Sequence, residues 1–209
     1  MINTTINPIH HTLNLLFEDA KKDKFKVVKG LAKSVFRSIQ PTDFEEAYLS
    51  ISRDQGETLV QLIKENNIQN IVEFGTSFGI STLFLAEGAK ATKGNIITTE
   101  LLPSKAKKAL ENFENAGVSD LIEMRIGDAT TTLKNHVQPI DLLFLDGWKD
   151  LYLSLFRMLE PNFHIDTIIY VDNADMQESK LFLKEIHQYN NYEIQFKYEG
   201  KVALIYKSI

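Results

Sequence analysis

From residue 70 onward, short apolar runs rich in β-branched and aromatic residues alternate with longer amphipathic segments. This alternation predicts βαβ units, in which parallel strands are joined by helices. Runs that are almost continuously apolar are expected to be central strands, covered by helices on both faces. The five predicted parallel strands are Asn70–Phe74, Asn95–Thr99, Leu121–Ile126, Ile140–Leu145 and Thr167–Val171.

The C-terminal residues show a different pattern. Two further strands, Tyr192–Tyr198 and Val202–Lys207, are separated by a short glycine-containing turn, which predicts a hairpin and an antiparallel last strand. A helix before the third strand is expected to begin with Ser104 as N-cap and to end at Gly117. The chain is therefore expected to form an α/β fold, a Rossmann-like doubly wound seven-stranded sheet with helices on both faces.

Residues 1–69 are predicted to be helical and to pack over the sheet as a lid and cofactor-covering segment, so that 1–209 forms a single domain with its sheet core in 70–209. The first residues do not resemble a signal peptide. No apolar stretch approaches the roughly 20 residues needed to span a bilayer, so a membrane partner is not expected.

The composition narrows the classes of partner. The chain of 209 residues contains no cysteine, which excludes disulfides and thiolate metal sites and predicts a cytoplasmic location. Its net charge of −5 argues against general nucleic-acid binding. One basic segment, Lys21–Arg37, predicts either a solvated helical face or a patch for an anionic substrate or surface.

The loop after the first strand, Glu73–Ser81, contains two glycines that allow the backbone to turn tightly and approach a ligand. A dinucleotide-binding dehydrogenase needs the pattern G-x-G-x-x-G, whereas Ser77 lies between Gly75 and Gly79 here. The carboxylate of Glu73 suits the ammonium of a methionine group, directly or through water, and would repel a pyrophosphate. The loop therefore favours S-adenosylmethionine over NAD, with a tight turn that binds no ligand as the alternative.

Polar residues also follow the second and third strands. Glu100 can accept hydrogen bonds from both hydroxyls of a ribose, or it can be an ordinary exposed glutamate. Asp128 can accept from an adenine amino group, and the amide of Ala129 can meet a ring nitrogen. Asp128 is equally suited to be the N-cap of the following helix, and the two roles are compatible.

Acidic residues end the fourth and fifth strands. Asp146 begins the segment Asp146–Asp150, and Asp172 is followed by Asn173. The carboxyl ends of parallel strands meet at one edge of a sheet, so these side chains are expected to converge. Two carboxylates and an amide are hard ligands that suit Mg²⁺ or another divalent cation. No histidine lies in either segment, which argues against zinc. The alternative is that both aspartates only cap loops.

Two further residues lie in the segment after the fourth strand. Lys149 is three residues beyond Asp146, and a partly desolvated lysine beside a metal can have a lowered pKa and take a proton from a substrate hydroxyl. The alternative is a solvated surface lysine. Trp148 is expected either to line an adenine site or to pack in the core.

Together these motifs resemble the metal-dependent class I O-methyltransferases, which include catechol O-methyltransferase and the caffeoyl-CoA type. The similarity runs from about Leu49 to the C-terminus, and Asp146–Tyr152 is especially similar to the catechol enzyme. The resemblance implies that Leu49–Gly56 covers the methionine part of the cofactor. It implies cofactor contacts from Ile51, Glu73, Gly75, Ser77, Ser81, Glu100, Asp128, Ala129, Asp146 and Trp148, metal ligands Asp146, Asp172 and Asn173, and Lys149 as the catalytic base.

The implied reaction is methyl transfer to a small catechol-like or phenolic substrate. In it the cation chelates two adjacent substrate oxygens, Lys149 removes the proton, and the oxyanion attacks the sulfonium methyl in line. The chain departs from the family in its short segment after Asn173 and in having Ala47 and Tyr48 near the place of a gating tryptophan. It has only Glu199 as a loose counterpart of the acid that helps to hold the catechol. These departures leave the substrate open. The alternatives are a metal-independent methyltransferase, a nucleotide-binding oxidoreductase and a catalytically silent binding protein; a homodimer is also left open.

Overall fold

The computed structural model describes residues 7–22, 43 and 50–208. Most of the basic segment Lys21–Arg37 lies outside these residues, as do Ala47 and Tyr48. Of that segment, Lys21 is described with its side chain, and its Nζ lies 2.6 Å from Glu18 Oε1 on an exposed helical face.

The strands follow the predicted order along the chain and form one sheet. They are β1 (Asn70–Phe74), β2 (Asn95–Glu100), β3 (Ile122–Ile126), β4 (Ile140–Leu145), β5 (Phe163–Asp172), β6 (Tyr192–Lys197) and β7 (Val202–Lys207). The helices are α1 (Pro8–Lys22), α2 (Arg53–Glu65), α3 (Ile80–Thr92), α4 (Pro103–Asn115), α5 (Ala129–Thr132), α6 (Tyr152–Leu159) and α7 (Gln177–Ile186). Short 3₁₀ turns cover Ser119–Leu121, Lys149–Leu151, Glu160–Asn162 and Tyr198–Gly200.

The strand order in the sheet is β3-β2-β1-β4-β5-β7-β6. Strands β1 to β5 pair in parallel, whereas β7 runs antiparallel to both β5 and β6. This confirms the predicted mostly parallel sheet with an antiparallel last strand. The order reverses between β1 and β4, and open α/β sheets bind ligands beyond the carboxyl ends of the strands at such a switch point.

Successive residues of each central strand point into two separate cores, which is why these strands are almost wholly apolar. Phe144 packs with side chains from α1 to α4, and its neighbour Leu145 packs with side chains from α5 to α7. Leu13 of α1 and Leu59 of α2 are fully buried in the first of these cores. The prediction of helices on both faces is confirmed, while the role of residues 1–69 as a lid stays a prediction.

One local difference from prediction is at the start of α4. The N-cap is Leu102, and Pro103 is the first helical residue, so the assignment of Ser104 as N-cap is wrong. Proline favours this position because its fixed φ fits the helix and its missing N–H has no partner there. Gly117, with a φ of +65°, follows the end of the helix as predicted. Among the described residues, no helix is long and apolar enough to cross a membrane.

Candidate active site

The loop from β1 to α3 lies at the switch point and has a backbone that few residue types adopt. Gly75 has a φ of +103°, Ser77 of +50° and Gly79 of +89°. The amide of Ser77 donates to Glu100 Oε2 at 2.8 Å, and the amide of Leu102 donates to Glu100 Oε1 at 2.9 Å. Glu100 therefore joins the loop after β1 to the loop after β2.

Glu100 is buried, not the ordinary exposed glutamate that the sequence left open. Burial raises its pKa, while the Leu102 and Ser77 amides and the charge of Lys105 oppose the rise. Lys105 was not among the predicted site residues, yet it is buried, and its Nζ lies 3.3 Å from Ser77 Oγ. Its position four residues before Ala109, on the apolar stripe of α4, is the sequence signal that identifies it as an inward-facing lysine.

Glu73 has its carboxylate beneath the same loop, fully buried at the end of β1. It accepts hydrogen bonds of 2.6 Å from each of the hydroxyls of Ser81, Thr82 and Thr98. Burial raises its pKa, and these three donors lower it in part. Glu73 therefore links the start of α3 to β2. The Ser81 hydroxyl lies 2.6 Å from the Glu73 carboxylate.

Asp128 caps α5, as one of the two predicted roles requires. Its Oδ1 accepts from the backbone amide and the hydroxyl of Thr130, both at 2.8 Å, and Ala129 is buried. Trp148 is partly buried and packs against the core on the α5 to α7 side. Ile51 is 2% exposed, and its side chain packs in the opposite core. Contacts of these residues with a cofactor stay predictions.

The two predicted metal-binding aspartates come together at the ends of β4 and β5. Asp172 is buried, and Asp146 is largely buried, with 12% of its side chain exposed. Burial raises the pKa of Asp146 well above its usual range, and the charge of Asp172 raises it further. Burial also raises the pKa of Asp172, although Lys149 and the hydrogen bonds to it oppose the rise. Two neighbouring carboxyl groups of this kind each disfavour the ionisation of the other.

Lys149 is largely buried at this site, with only 14% of its side chain exposed. Its Nζ lies 3.4 Å from Asp146 Oδ1 and donates to the Gly147 carbonyl at 3.0 Å. The solvated surface lysine that the sequence left open is therefore not what the structure shows. Asn173 is half-buried beside Asp172 and has a φ of +52°, a left-handed backbone that asparagine adopts more readily than most residues.

Two residues that the sequence did not single out also contact this edge. Gln55, in the first turn of α2, donates from Nε2 to Asp172 Oδ1 at 3.1 Å. The buried hydroxyl of Tyr152 donates to the Leu145 carbonyl at 3.0 Å and lies 3.4 Å from the Asp172 carbonyl. Tyr152 therefore connects the last residues of β4 and β5.

No group of three or more His, Cys, Asp or Glu side chains that could hold a metal occurs within residues 7–22, 43 and 50–208. The candidate metal ligands include only two residues of these types, Asp146 and Asp172, because the third ligand is the amide of Asn173. Two of the histidines have partners elsewhere: His10 pairs with Glu87, and His164 pairs with Asp141.

A sequence model of an O-methyltransferase family matches residues 22–182, which is more than half of the chain. The chain belongs to this family. Membership confirms the resemblance that the motifs indicated and disfavours the oxidoreductase alternative.

Related proteins of this family carry informative names. A catechol O-methyltransferase of Mycobacterium tuberculosis is 32% identical over 127 residues, 60% of this chain and 57% of that protein. Caffeoyl-CoA O-methyltransferase 1 of Eucalyptus globulus is 29% identical over 131 residues, 60% of this chain and 53% of that protein. The chain therefore matches a little over half the length of these curated relatives.

Solved structures of similar fold extend over more of the chain. Cofactor-bound Rv0187 from MTB has a TM-score of 0.69 at 26% identity and covers 88% of this chain and 90% of its own. An O-methyltransferase from Bacillus cereus in complex with SAH has a TM-score of 0.69 at 23% identity. The match covers 87% of this chain and 97% of that protein. The second likeness concerns the fold alone.

Proposed function

We propose that this chain is an S-adenosylmethionine-dependent O-methyltransferase that uses Mg²⁺ or another divalent cation to methylate a small catechol-like or phenolic hydroxyl. The observation that carries the proposal is the pair of buried carboxylates, Asp146 and Asp172, with Lys149 3.4 Å from Asp146. Family membership and the relatives named catechol O-methyltransferase support the reaction type.

The donor set at the ends of β4 and β5 fits a hard divalent cation. If both carboxyl groups are ionised, the single charge of Lys149 leaves one buried negative charge without a partner, and such a charge is costly. Asp146, Asp172 and the amide of Asn173 would hold the cation. When bound, the cation lowers the pKa of a coordinated substrate hydroxyl and fixes its position.

On the other side of the switch point, Glu100 would accept from the ribose hydroxyls of the cofactor. Asp128 and the Ala129 amide would meet the adenine, with Trp148 beside it. Glu73 would act on the methionine ammonium through the Ser81 hydroxyl or a water, because its own carboxylate already accepts from three hydroxyls. The remaining proposed contacts are Ile51, Gly75, Ser77 and Asp146.

The reaction step that the chain itself supplies is proton removal. Lys149 is held by the Gly147 carbonyl and by Asp146, so its Nζ is oriented before a substrate arrives. In its neutral amine form Lys149 would accept the proton of the substrate hydroxyl, and Asp146 would stabilise the ammonium that results. Alignment of the substrate oxygen with the methyl group of the bound cofactor would supply much of the remaining acceleration.

The test is methyl transfer from S-adenosylmethionine to a panel of catechols, flavonoids and hydroxylated acids, with Mg²⁺ and with EDTA. We expect activity on a vicinal diol with Mg²⁺, its loss in EDTA, and its loss in Asp172→Asn. The control is Asp175→Asn, which removes the same charge at an exposed position nearby and should retain activity. Full activity in EDTA would exclude the metal, and failure to bind SAH would exclude the cofactor.

A metal-independent methyltransferase on another acceptor is the second candidate. It is favoured by the absence of a third acidic or histidine ligand among the described residues around the two aspartates. Full activity of Lys149→Ala in EDTA would select it. The cytoplasmic location, the single domain over 1–209 and a homodimer stay predictions.

A further inference from the structure

Gln55 makes hydrogen bonds from both ends of its side-chain amide. Its Oε1 accepts from the backbone amide of Ser52 at 2.8 Å, and its Nε2 donates to Asp172 Oδ1 at 3.1 Å. The Ser52 hydroxyl accepts in return from the Gln55 backbone amide, which completes a capping box at the start of α2. Because the amide is planar, one rigid group links the start of α2 to Asp172.

The two partners of Gln55 belong to different parts of the candidate site. Asp172 ends β5 and is a proposed cation ligand. Ser52 directly follows Ile51, which is 2% exposed and belongs to the segment proposed to cover the methionine part of the cofactor. The contact joins residues that are 117 positions apart in the sequence, so it is the fold that brings them together.

We propose that Gln55 is a positioning residue that couples cation binding at Asp172 to cofactor binding under Ile51 and Ser52; this inference rests on the proposed function. A cation bound at Asp172 would fix the position of the carboxylate whose Oδ1 accepts from Gln55 Nε2. Gln55 is then held more firmly, and its Oε1 holds Ser52. By linkage, the cofactor raises the affinity for the cation by the same factor that the cation raises the affinity for the cofactor.

A second attachment of the same helical turn provides a control. The hydroxyl of Tyr198 donates to the Asp54 carbonyl at 3.1 Å and forms a hydrogen bond of 2.6 Å with the Thr58 hydroxyl. It anchors α2 to the turn between β6 and β7 through neither Gln55 nor Asp172. Tyr198→Phe therefore loosens the helix without breaking the proposed link. Ser52→Ala removes the hydroxyl half of the capping box and keeps both bonds of the Gln55 amide.

The experiment measures the dissociation constant of SAH by titration calorimetry, at saturating Mg²⁺ and in EDTA, for the full chain and its variants. We expect wild type to bind SAH about fivefold or more tightly with Mg²⁺, within the usual range of coupling between sites. Gln55→Met should bring the ratio close to one, with Gln55→Ala as a second variant in case methionine perturbs the fold. Tyr198→Phe and Ser52→Ala should keep the wild-type ratio even where they lower the melting temperature.

The outcomes separate this inference from the function on which it rests. If wild type binds both ligands but the ratio is one, or if Gln55→Met and Gln55→Ala keep the wild-type ratio, the coupling is overturned and the methyltransferase proposal stands. A ratio close to one in Ser52→Ala would also overturn the coupling through Gln55. The helix cap, and not the contact with Asp172, would then be responsible for the effect of Mg²⁺ on SAH binding. Absence of SAH or Mg²⁺ binding in wild type would overturn both.

Discussion

A Cβ added to Gly75 would lie 2.6 Å from the backbone nitrogen of Gly147, closer than side chains approach backbone in proteins. Gly75 follows β1 and Gly147 follows β4, so the backbones of the two loops approach each other closely at the switch point. In the other direction, a Cβ on Gly147 would lie 2.4 Å from the ring of Phe74. The proposed cofactor loop and the proposed cation loop are therefore packed as one unit.

Gly75→Ala is expected to destabilise the protein by about 2–4 kcal/mol and to abolish SAH binding, because it combines an unfavourable φ with a backbone clash. Gly117→Ala is the matched control, since Gly117 also has a positive φ but its added Cβ would meet nothing within 4 Å. It should cost only about 1–2 kcal/mol. Urea denaturation and SAH titration measure both effects; equal costs for the two variants would contradict the close approach.

Asp172→Asn is expected to have opposite effects on stability and on activity. It removes one of two adjacent buried acids, so the metal-free protein should melt roughly 2–4 °C higher, corresponding to about 1 kcal/mol. Mg²⁺ should raise the melting temperature of wild type and leave that of the variant unchanged. Differential scanning fluorimetry with EDTA and with Mg²⁺ makes the comparison, and a lower melting temperature of the variant in EDTA would be evidence against the charge argument.

Lys149→Met should reduce turnover by about 10²–10⁴-fold, the usual contribution of a general base. SAH affinity should change little, because the hydrogen bonds of Lys149 are to Asp146 and Gly147, on the proposed cation side. Initial rates and SAH titration are the two measurements. Lys180→Met, at an exposed position of α7, is the control and should keep wild-type turnover. A parallel loss of SAH binding in Lys149→Met would mean that the residue has a structural role.

Asp141 should stabilise the fold in a pH-dependent manner. Burial alone would raise its pKa, but the amides of Asn70 and Gln69 and the ring of His164 outweigh burial and hold the pKa below the usual 3.8. A carboxyl group whose pKa is depressed by folding stabilises the protein above its unfolded pKa, and this contribution is lost as the pH falls through the folded value.

Asp141→Asn is therefore expected to cost about 1–2 kcal/mol at pH 7, and the cost should shrink below about pH 4. Denaturation curves at pH 7, 5 and 3.5 give the comparison. Asp120→Asn, an exposed aspartate that follows α4, should show little cost at any of these values. A cost for Asp141→Asn that stays constant down to pH 3.5 would show that the charge of Asp141 does not contribute.

The sequence was sufficient to predict the sheet and the convergence of Asp146 and Asp172, because both follow from strand periodicity and from the common edge of parallel strands. It could not predict that Gln55 contacts Asp172, since a helical capping pattern does not indicate which distant strand the helix start will meet. It also could not predict that Glu73 accepts from three hydroxyls. The donors Ser81, Thr82 and Thr98 are ordinary residues until α3 and β2 are packed around that carboxylate.

The hydroxyl of Tyr152, placed between the carbonyls of Leu145 and Asp172, has a consequence for ion selectivity. It fastens the ends of β4 and β5 to each other, so the spacing of the two aspartates is set by the scaffold. Mg²⁺ needs ligand distances of about 2.0–2.1 Å in a near-octahedral shell, whereas Ca²⁺ takes about 2.3–2.6 Å in a looser one. A fixed spacing of the two aspartates would therefore favour one ion size. Replacing Tyr152 with phenylalanine should reduce the preference for Mg²⁺ over Ca²⁺.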